Sequence, residues 1–300
     1  MYIDSNGNKW YKGNIHTHTT RSDGSKTPEE CIALYKENGY DFLAITDHWK
    51  MSETKYENGL LLISGCEYDI GSNPVSGVFH VTALGCTSEP ELKRGIDGAE
   101  RMVEEIHRHG GIANLAHPAW SMNTCEQLLP VIGGEIKPLF GADVTEIFNS
   151  VSDLPMNCRP YSGIVLDQLA ARGYLTKLVA DDDTHIYGTE ACRSYIMVKA
   201  EECSRESILD AIKRGDFYAT QGPSVEISFE GGEVRVKCSP VESVTYFTDT
   251  VWCDNRNDIG HGITSSSFKV GRETFVRAEV CDKEGRRAWS PYVSVAKAVK

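Results

Sequence analysis

Short, continuously apolar runs alternate with amphipathic stretches through roughly the first 220 residues. The runs Asp41 to Thr46, Leu60 to Ser64, Val78 to Leu84, Ile112 to Ala116, Val144 to Phe148, Leu175 to Ala180 and Ser194 to Lys199 read as strands buried on both faces. Helices are predicted between several of them. Thr27-Pro28-Glu29-Glu30 joins an N-cap, a proline at the first helical position and a capping-box glutamate, and Gly39 closes that helix. A second helix is expected from about Pro90 to Arg108, with a Ser88-x-x-Glu91 capping box and apolar Leu92, Ile96, Ala99, Val103 and Ile106. Others run from Tyr161 to Arg172, ended by Gly173, and from about Arg205 to Arg214, ended by Gly215. This alternation is the pattern of a parallel α/β fold, whose functional groups gather at the C-terminal ends of its strands.

Beyond Gly222-Pro223 the texture changes. Val225, Ile227 and Phe229, then Val234, Val236 and Cys238, alternate with polar residues on either side of Gly231-Gly232, which predicts an antiparallel hairpin. Later short apolar runs near Tyr246, Trp252, Phe275 and Val293 lack helical periodicity. The chain is therefore divided into an α/β domain over 1–222 and a small antiparallel β domain over 223–300. The β domain carries no cluster of chemistry and is expected to pack against the first.

Composition narrows the classes. An apolar fraction of 40% and a charged fraction of 25% are ordinary for a globular chain. The net charge of −12 argues against a nucleic-acid polymer or an anionic membrane as the main partner. Met1 to Lys12 lack the basic start and apolar run of a signal peptide, and a cytoplasmic location is expected. Ten cysteines are scattered without a Cys-x-x-Cys pair, which reads as reduced thiols rather than a disulfide framework. Oligomeric state is not legible.

The chemistry sits where the apolar runs end. His16 and His18 lie two apart, so in an extended segment they face the same way, and Asp23 follows in a Ser-Asp-Gly turn. Other runs deliver His48 after Thr46-Asp47, Glu67 after Gly65-Cys66, His117 before Pro118, and Asp183 and His185 at the end of an acidic run, while His80 lies within a strand. Taken singly, His80 or His117 is readily a hydrogen-bonded core histidine and Glu67 a salt-bridge partner. Together these nine residues use six of the chain's nine histidines, and a metal site explains their joint placement. Imidazole and carboxylate suit zinc, manganese or iron, and a carboxylate such as Glu67 can bridge two cations.

His-x-His followed by Ser-Asp-Gly, then Ala-Ile-Thr-Asp-His, Gly-Cys-Glu, a lone strand histidine, Ala-His-Pro and Asp-x-His, in that order, resembles the PHP (polymerase and histidinol phosphatase) family of metal-dependent phosphoesterases. The match runs from about residue 14 to about 222. The resemblance implies a distorted seven-stranded (β/α) barrel with two or three divalent ions at its C-terminal mouth. It implies that His16, His18, Glu67 and Asp183 hold one ion, that Glu67 bridges to a second completed by His80 and His117, and that Asp23, His48 and His185 hold a third. Some relatives carry histidine where this chain has Asp23. Asp47 is expected to orient a ligand histidine, and Glu146 and Asn149 are either supports of the site or plain strand-end polar residues.

Three divalent ions outweigh the carboxylates Asp23, Glu67 and Asp183, so the mouth is expected to attract an anion despite the acidic chain. Clustered ions activate a bridging water to hydroxide and neutralise a phosphoryl group during in-line displacement, which makes that hydroxide the expected nucleophile. Glu67, Asp183 and His185 are the candidate catalytic residues; the acid that protonates the leaving group is left open. Arg159 and Arg193 are candidate contacts to a second phosphate, and Trp49 and Trp120 to a base or ring. The expected substrate is a small phosphorylated metabolite, with a nucleotide or nucleoside bisphosphate favoured. An amidohydrolase-like hydrolase and a non-catalytic metal-binding module are the alternatives.

Overall fold

In the computed structural model, which describes residues 1–295, a two-residue strand at Tyr2–Ile3 pairs with strand β1 (Lys9–Asn14), which is followed by helix α1 (Pro28–Glu37) and strand β2 (Phe42–Ala44). Thr27 caps α1 with the capping box formed on both sides, and the helix turns Cys31, Ile32 and Tyr35 into the core. Strands β3 (Leu60–Ile63), β4 (Gly65–Asn73) and β5 (Gly77–Leu84) follow, then α2 (Ala99–Arg108), β6 (Ile112–Leu115) and β7 (Val144–Asn149). After α3 (Gly163–Ala171) come β8 (Leu178–Asp181), β9 (Tyr195–Lys199), α4 (Arg205–Arg214) and β10 (Phe217–Thr220).

Helix α2 begins later than the periodicity predicts. The apolar spacing from Leu92 onward does not build a helix because Gly95 takes a φ of 72°, and the Lys93 N–H bonds to the Asp97 carboxylate instead. Gly98 becomes the N-cap.

Five strands form one sheet in the order β8-β7-β6-β5-β4. β7 pairs in parallel with β6 and β8, whereas β4, β5 and β6 pair antiparallel. In the second sheet β1, β2 and β3 are parallel neighbours, with β9 antiparallel to β1 and β10 to β9. The two sheets meet at single parallel bridge pairs, Thr17 with Thr184 and His48 with Glu67. The architecture is mixed α/β, with parallel and antiparallel pairs in both sheets. β4 and β5 are joined by a tight turn with no helix between them, so they run antiparallel.

The C-terminal strands are β11 (Val225–Glu230), β12 (Glu233–Thr248), β13 (Asn257–Lys269), β14 (Phe275–Cys281) and β15 (Arg287–Trp289). β11 and β12 form the hairpin around Gly231-Gly232, with Ile227 opposite Val236. The sheet continues through β15 paired with β10, and Trp10 and Met197 share a core with Val234, Val244, Val280 and Ala288. Residues 296–300 of the expected β domain lie outside the described residues. All ten cysteines are free thiols, and no helix among the described residues is long and apolar enough to cross a membrane.

Candidate metal centre

The nine residues expected at the strand ends come together at one mouth. His16 and His18 follow β1, and the turn that carries Asp23 folds back tightly enough that a Cβ on Gly24 would overlap the His18 carbonyl. Asp183 and His117 hold left-handed backbone, at φ 51° and 29°. Such conformations cost on the order of 1 kcal/mol or more and persist where the surroundings impose them, commonly at functional sites.

Four atoms form the innermost group: Nε2 of His16 and His18, Oε2 of Glu67 and Oδ1 of Asp183. Five of the six distances among them lie between 3.0 and 3.2 Å. A regular tetrahedron with such edges has its centre about 2 Å from each corner, the length of a zinc–nitrogen or zinc–oxygen bond. The Asp183 oxygen in this group is buried without a hydrogen-bond partner. His16 directs Nδ1 at Glu146 Oε1, 2.7 Å away, which assigns its proton there and leaves the Nε2 lone pair facing the group. The donor set therefore fits a cation.

Glu67 divides its oxygens between two sets of imidazoles. Oε2 faces His16, His18 and, at 3.4 Å, His48 Nδ1; Oε1 lies 2.8 Å from His80 Nδ1 and 3.4 Å from His117 Nε2. Asp23 collects the outer set, with Oδ2 3.4 Å from His185 Nε2 and 3.7 Å from His48 Nε2, and Oδ1 3.4 Å from His18 Nδ1. His185 Nδ1 donates to the Asp183 carbonyl at 2.8 Å, so its Nε2 also presents a lone pair. Two residues reach more than one set: His48 stands between the second and third, and His18 faces two sets through its two nitrogens.

The electrostatics agree. Burial opposes charge on His16, yet Asp183, Glu67 and Glu146 raise its proton affinity well above the ordinary value; His18 behaves likewise through Asp183, Asp23 and Glu67. Against their own burial, Glu67 and Asp183 are held well below the usual carboxylate range by the surrounding imidazoles. The centre of the mouth favours positive charge.

Supporting groups also find their places. Glu146 accepts from the Asn114 and Asn149 side-chain amides and from the His117 backbone N–H as well as meeting His16, so it holds two strand ends together. Glu146→Gln is expected to leave the fold intact and to weaken metal affinity by about 10- to 100-fold, read by competition with a chelator; unchanged affinity would refute that role. Asp47 does not orient a histidine as expected. It accepts from Thr19 N, Thr19 Oγ1 and Ser22 Oγ at 2.7 to 2.8 Å and braces the turn before Asp23.

Asp69 and Asp181 were missed by sequence reasoning. Asp69 Oδ2 lies 3.3 Å from His48 Nδ1, and Asp181 Oδ1 lies 3.9 Å from His16 Nδ1. The two-residue alternation that pairs Asp69 with Glu67, and Asp181 with Asp183, was the available signal.

The expected substrate contacts separate. Trp120 lines the cleft beside the histidines; Trp49 stands back, donating its indole N–H to Asp69 at 2.7 Å. Arg193 pairs with Asp153 at 2.5 Å, Arg159 is exposed, and neither is among the residues lining the cleft.

A search of curated proteins finds no match. A solved structure from Bacteroides vulgatus, described as a two-domain protein containing a predicted PHP-like metal-dependent phosphoesterase, is 14% identical with a TM-score of 0.55, covering 99% of this chain and 98% of its own; that likeness is one of fold. Two others have lower TM-scores. A putative metal-dependent phosphoesterase from Bifidobacterium adolescentis has a TM-score of 0.41 at 14% identity, over 58% of this chain and 87% of that one. An amidohydrolase from Chromobacterium violaceum, with bound sulfate and no metal, has 0.37 at 13% identity, over 59% and 89%. The PHP domain itself matches residues 14–285, which includes the whole histidine and carboxylate cluster, and the chain belongs to the PHP domain family.

Proposed function

We propose that this chain is a metal-dependent phosphoesterase that releases phosphate from a small phosphorylated metabolite. The observation that carries the reading is Glu67, buried with each of its oxygens turned to a different set of imidazoles, the arrangement a carboxylate bridging two cations adopts. We assign one ion to His16, His18, Glu67 and Asp183, a second to Glu67, His80 and His117, and a third to Asp23, His48 and His185, with zinc, manganese or iron suited to this thiolate-free set. When bound, such ions activate water and neutralise charge on a phosphoryl group. The residues of the chain do the rest: Glu67 and Asp183 would hold the ions, His185 stands at the cleft, and Glu146 holds His16 in one tautomer.

Strands β1, β2 and β4 to β8 are taken to work as a distorted seven-stranded barrel, since both bridge pairs between the sheets lie at this mouth. Residues 223–300 are taken as a β domain serving as a packing partner. A cytoplasmic location is supported by ten unpaired thiols, which persist in reducing compartments.

The test is phosphate release over a panel of phosphorylated metabolites, with bound metals counted and a His16→Ala control. Activity is expected in the parent and a loss of about 10³-fold in the control. No release from any ester by protein carrying two or three ions would overturn the reading and return to a non-catalytic module or an amidohydrolase-like activity.

A further inference from the structure

We infer that the site takes phosphomonoesters whose alcohol is apolar and carries no second anionic group, an inference that rests on the phosphoesterase reading above. The cleft, of about 320 Å³, has two unlike sides. One is the histidine and carboxylate cluster. The other is built by Trp120, Val151, Leu154, Met156 and Ile186, with Ser152 and Asn157 as its polar members.

Among the described residues, no lysine or arginine lines the cleft. Of the nearby guanidinium groups, Arg193 pairs with Asp153, Arg94 with Asp69 at 3.2 Å and Arg21 with the Met51 carbonyl at 3.0 Å, while Arg159 is exposed and outside the cleft lining. A second phosphate reaching across the cleft would lose water without gaining a counterion, which is unfavourable. An ammonium group fares no better, because each lining carboxylate is turned onto histidine nitrogens.

Asn157 offers little recognition of a polar alcohol. Its Oδ1 accepts from the Trp120 indole N–H at 3.3 Å and its Nδ2 donates to the Val151 carbonyl at 3.0 Å, so both ends are used in fixing the loop over the mouth. Trp120 in turn stands edge-on to His80 and His117, at centroid distances of 5.6 and 5.0 Å. Its ring is thus adjacent to the cluster where a phosphoryl group belongs, and an aromatic or aliphatic alcohol extends across it. Met156 and Ile186 leave 69% and 54% of their surface exposed at the rim, where an apolar ligand would cover them.

The test uses esters with alcohols of matched acidity on the metal-loaded full chain: ethyl phosphate, 2-phenylethyl phosphate and 1,3-propanediol bisphosphate. The phenylethyl ester is expected to exceed ethyl phosphate in kcat/KM by about 10-fold or more, and the bisphosphate to fall below it. Calorimetry with benzylphosphonate and methylphosphonate reads the same preference without turnover, and Trp120→Ala is expected to erase it. Met156→Arg, at an exposed site, is expected to raise the bisphosphate relative to ethyl phosphate. A bisphosphate hydrolysed as well as ethyl phosphate, equal binding of the two phosphonates, or an unchanged ranking in Met156→Arg would each overturn the inference. If no ester is hydrolysed, the phosphoesterase reading falls, and the two phosphonates still decide whether the apolar wall recognises the ligand.

Discussion

Glu67→Gln is expected to reduce kcat/KM for phosphate release by at least about 10³-fold and to lower the number of tightly bound ions. The substitution keeps the shape of the side chain and removes its charge. In the native chain both carboxylate oxygens are used, one toward His16 and His18 and the other toward His80 and His117. An amide presents one oxygen and one N–H₂, and the latter repels a cation and adds a donor where lone pairs converge. Metal-centred charge stabilisation contributes several kcal/mol to such reactions, and each 1.36 kcal/mol is about tenfold in rate. The measurement is kcat/KM together with metal content by elemental analysis; full activity with the full complement of ions would show that Glu67 is no bridge. Folding is checked by circular dichroism, because Glu67 is buried.

The second large effect concerns the attachment of the C-terminal strands. Arg277 on β14 is fully buried and grips Asp167 of α3 through two bonds, Nε to Oδ1 at 2.7 Å and Nη2 to Oδ2 at 2.8 Å. Nη2 also donates to the Tyr161 hydroxyl at 2.8 Å, and the guanidinium lies 4.0 Å from the centroid of the Phe247 ring. Arg277→Ala removes the cation and leaves a cavity beside a carboxylate that retains about a fifth of its exposure. Breaking one partner of a buried pair typically costs about 3 to 5 kcal/mol. Because water reaches Asp167, the lower part of that range applies, with Tm falling by on the order of 10 °C. Asp167→Ala added to Arg277→Ala is expected to restore part of the loss, since the stranded carboxylate is then gone. Thermal melts of both variants check this; a single variant melting with the parent would show that the pair is not a tie between α3 and β14.

The nine-residue cluster was legible because most of its members sit in a local context that a sequence displays: a strand end, an Asp-Gly turn, a histidine before proline; Glu67 and His80 lie within strands. Helix α1 was legible for the same reason, its capping box being written in Thr27 and Glu30. The extent of α2 was misread because periodicity from Leu92 onward says nothing of the positive φ at Gly95 or of the Asp97 carboxylate that takes the Lys93 N–H. Arg159 and Arg193 were plausible phosphate contacts by chemistry alone. Their partners and directions depend on loop packing, and Asp153 claims Arg193.

By itself the sequence determined the residue types of the cluster, their order and the α/β alternation that brings strand ends to one mouth, because burial periodicity and capping act within a few residues. Only the tertiary structure decided that His48 stands between two sets, that Glu146 fixes His16, that β4 to β6 pair antiparallel, and that the cleft faces an apolar wall. Those outcomes depend on which side chains meet across long separations in the chain, and contacts of that kind are set by packing in three dimensions.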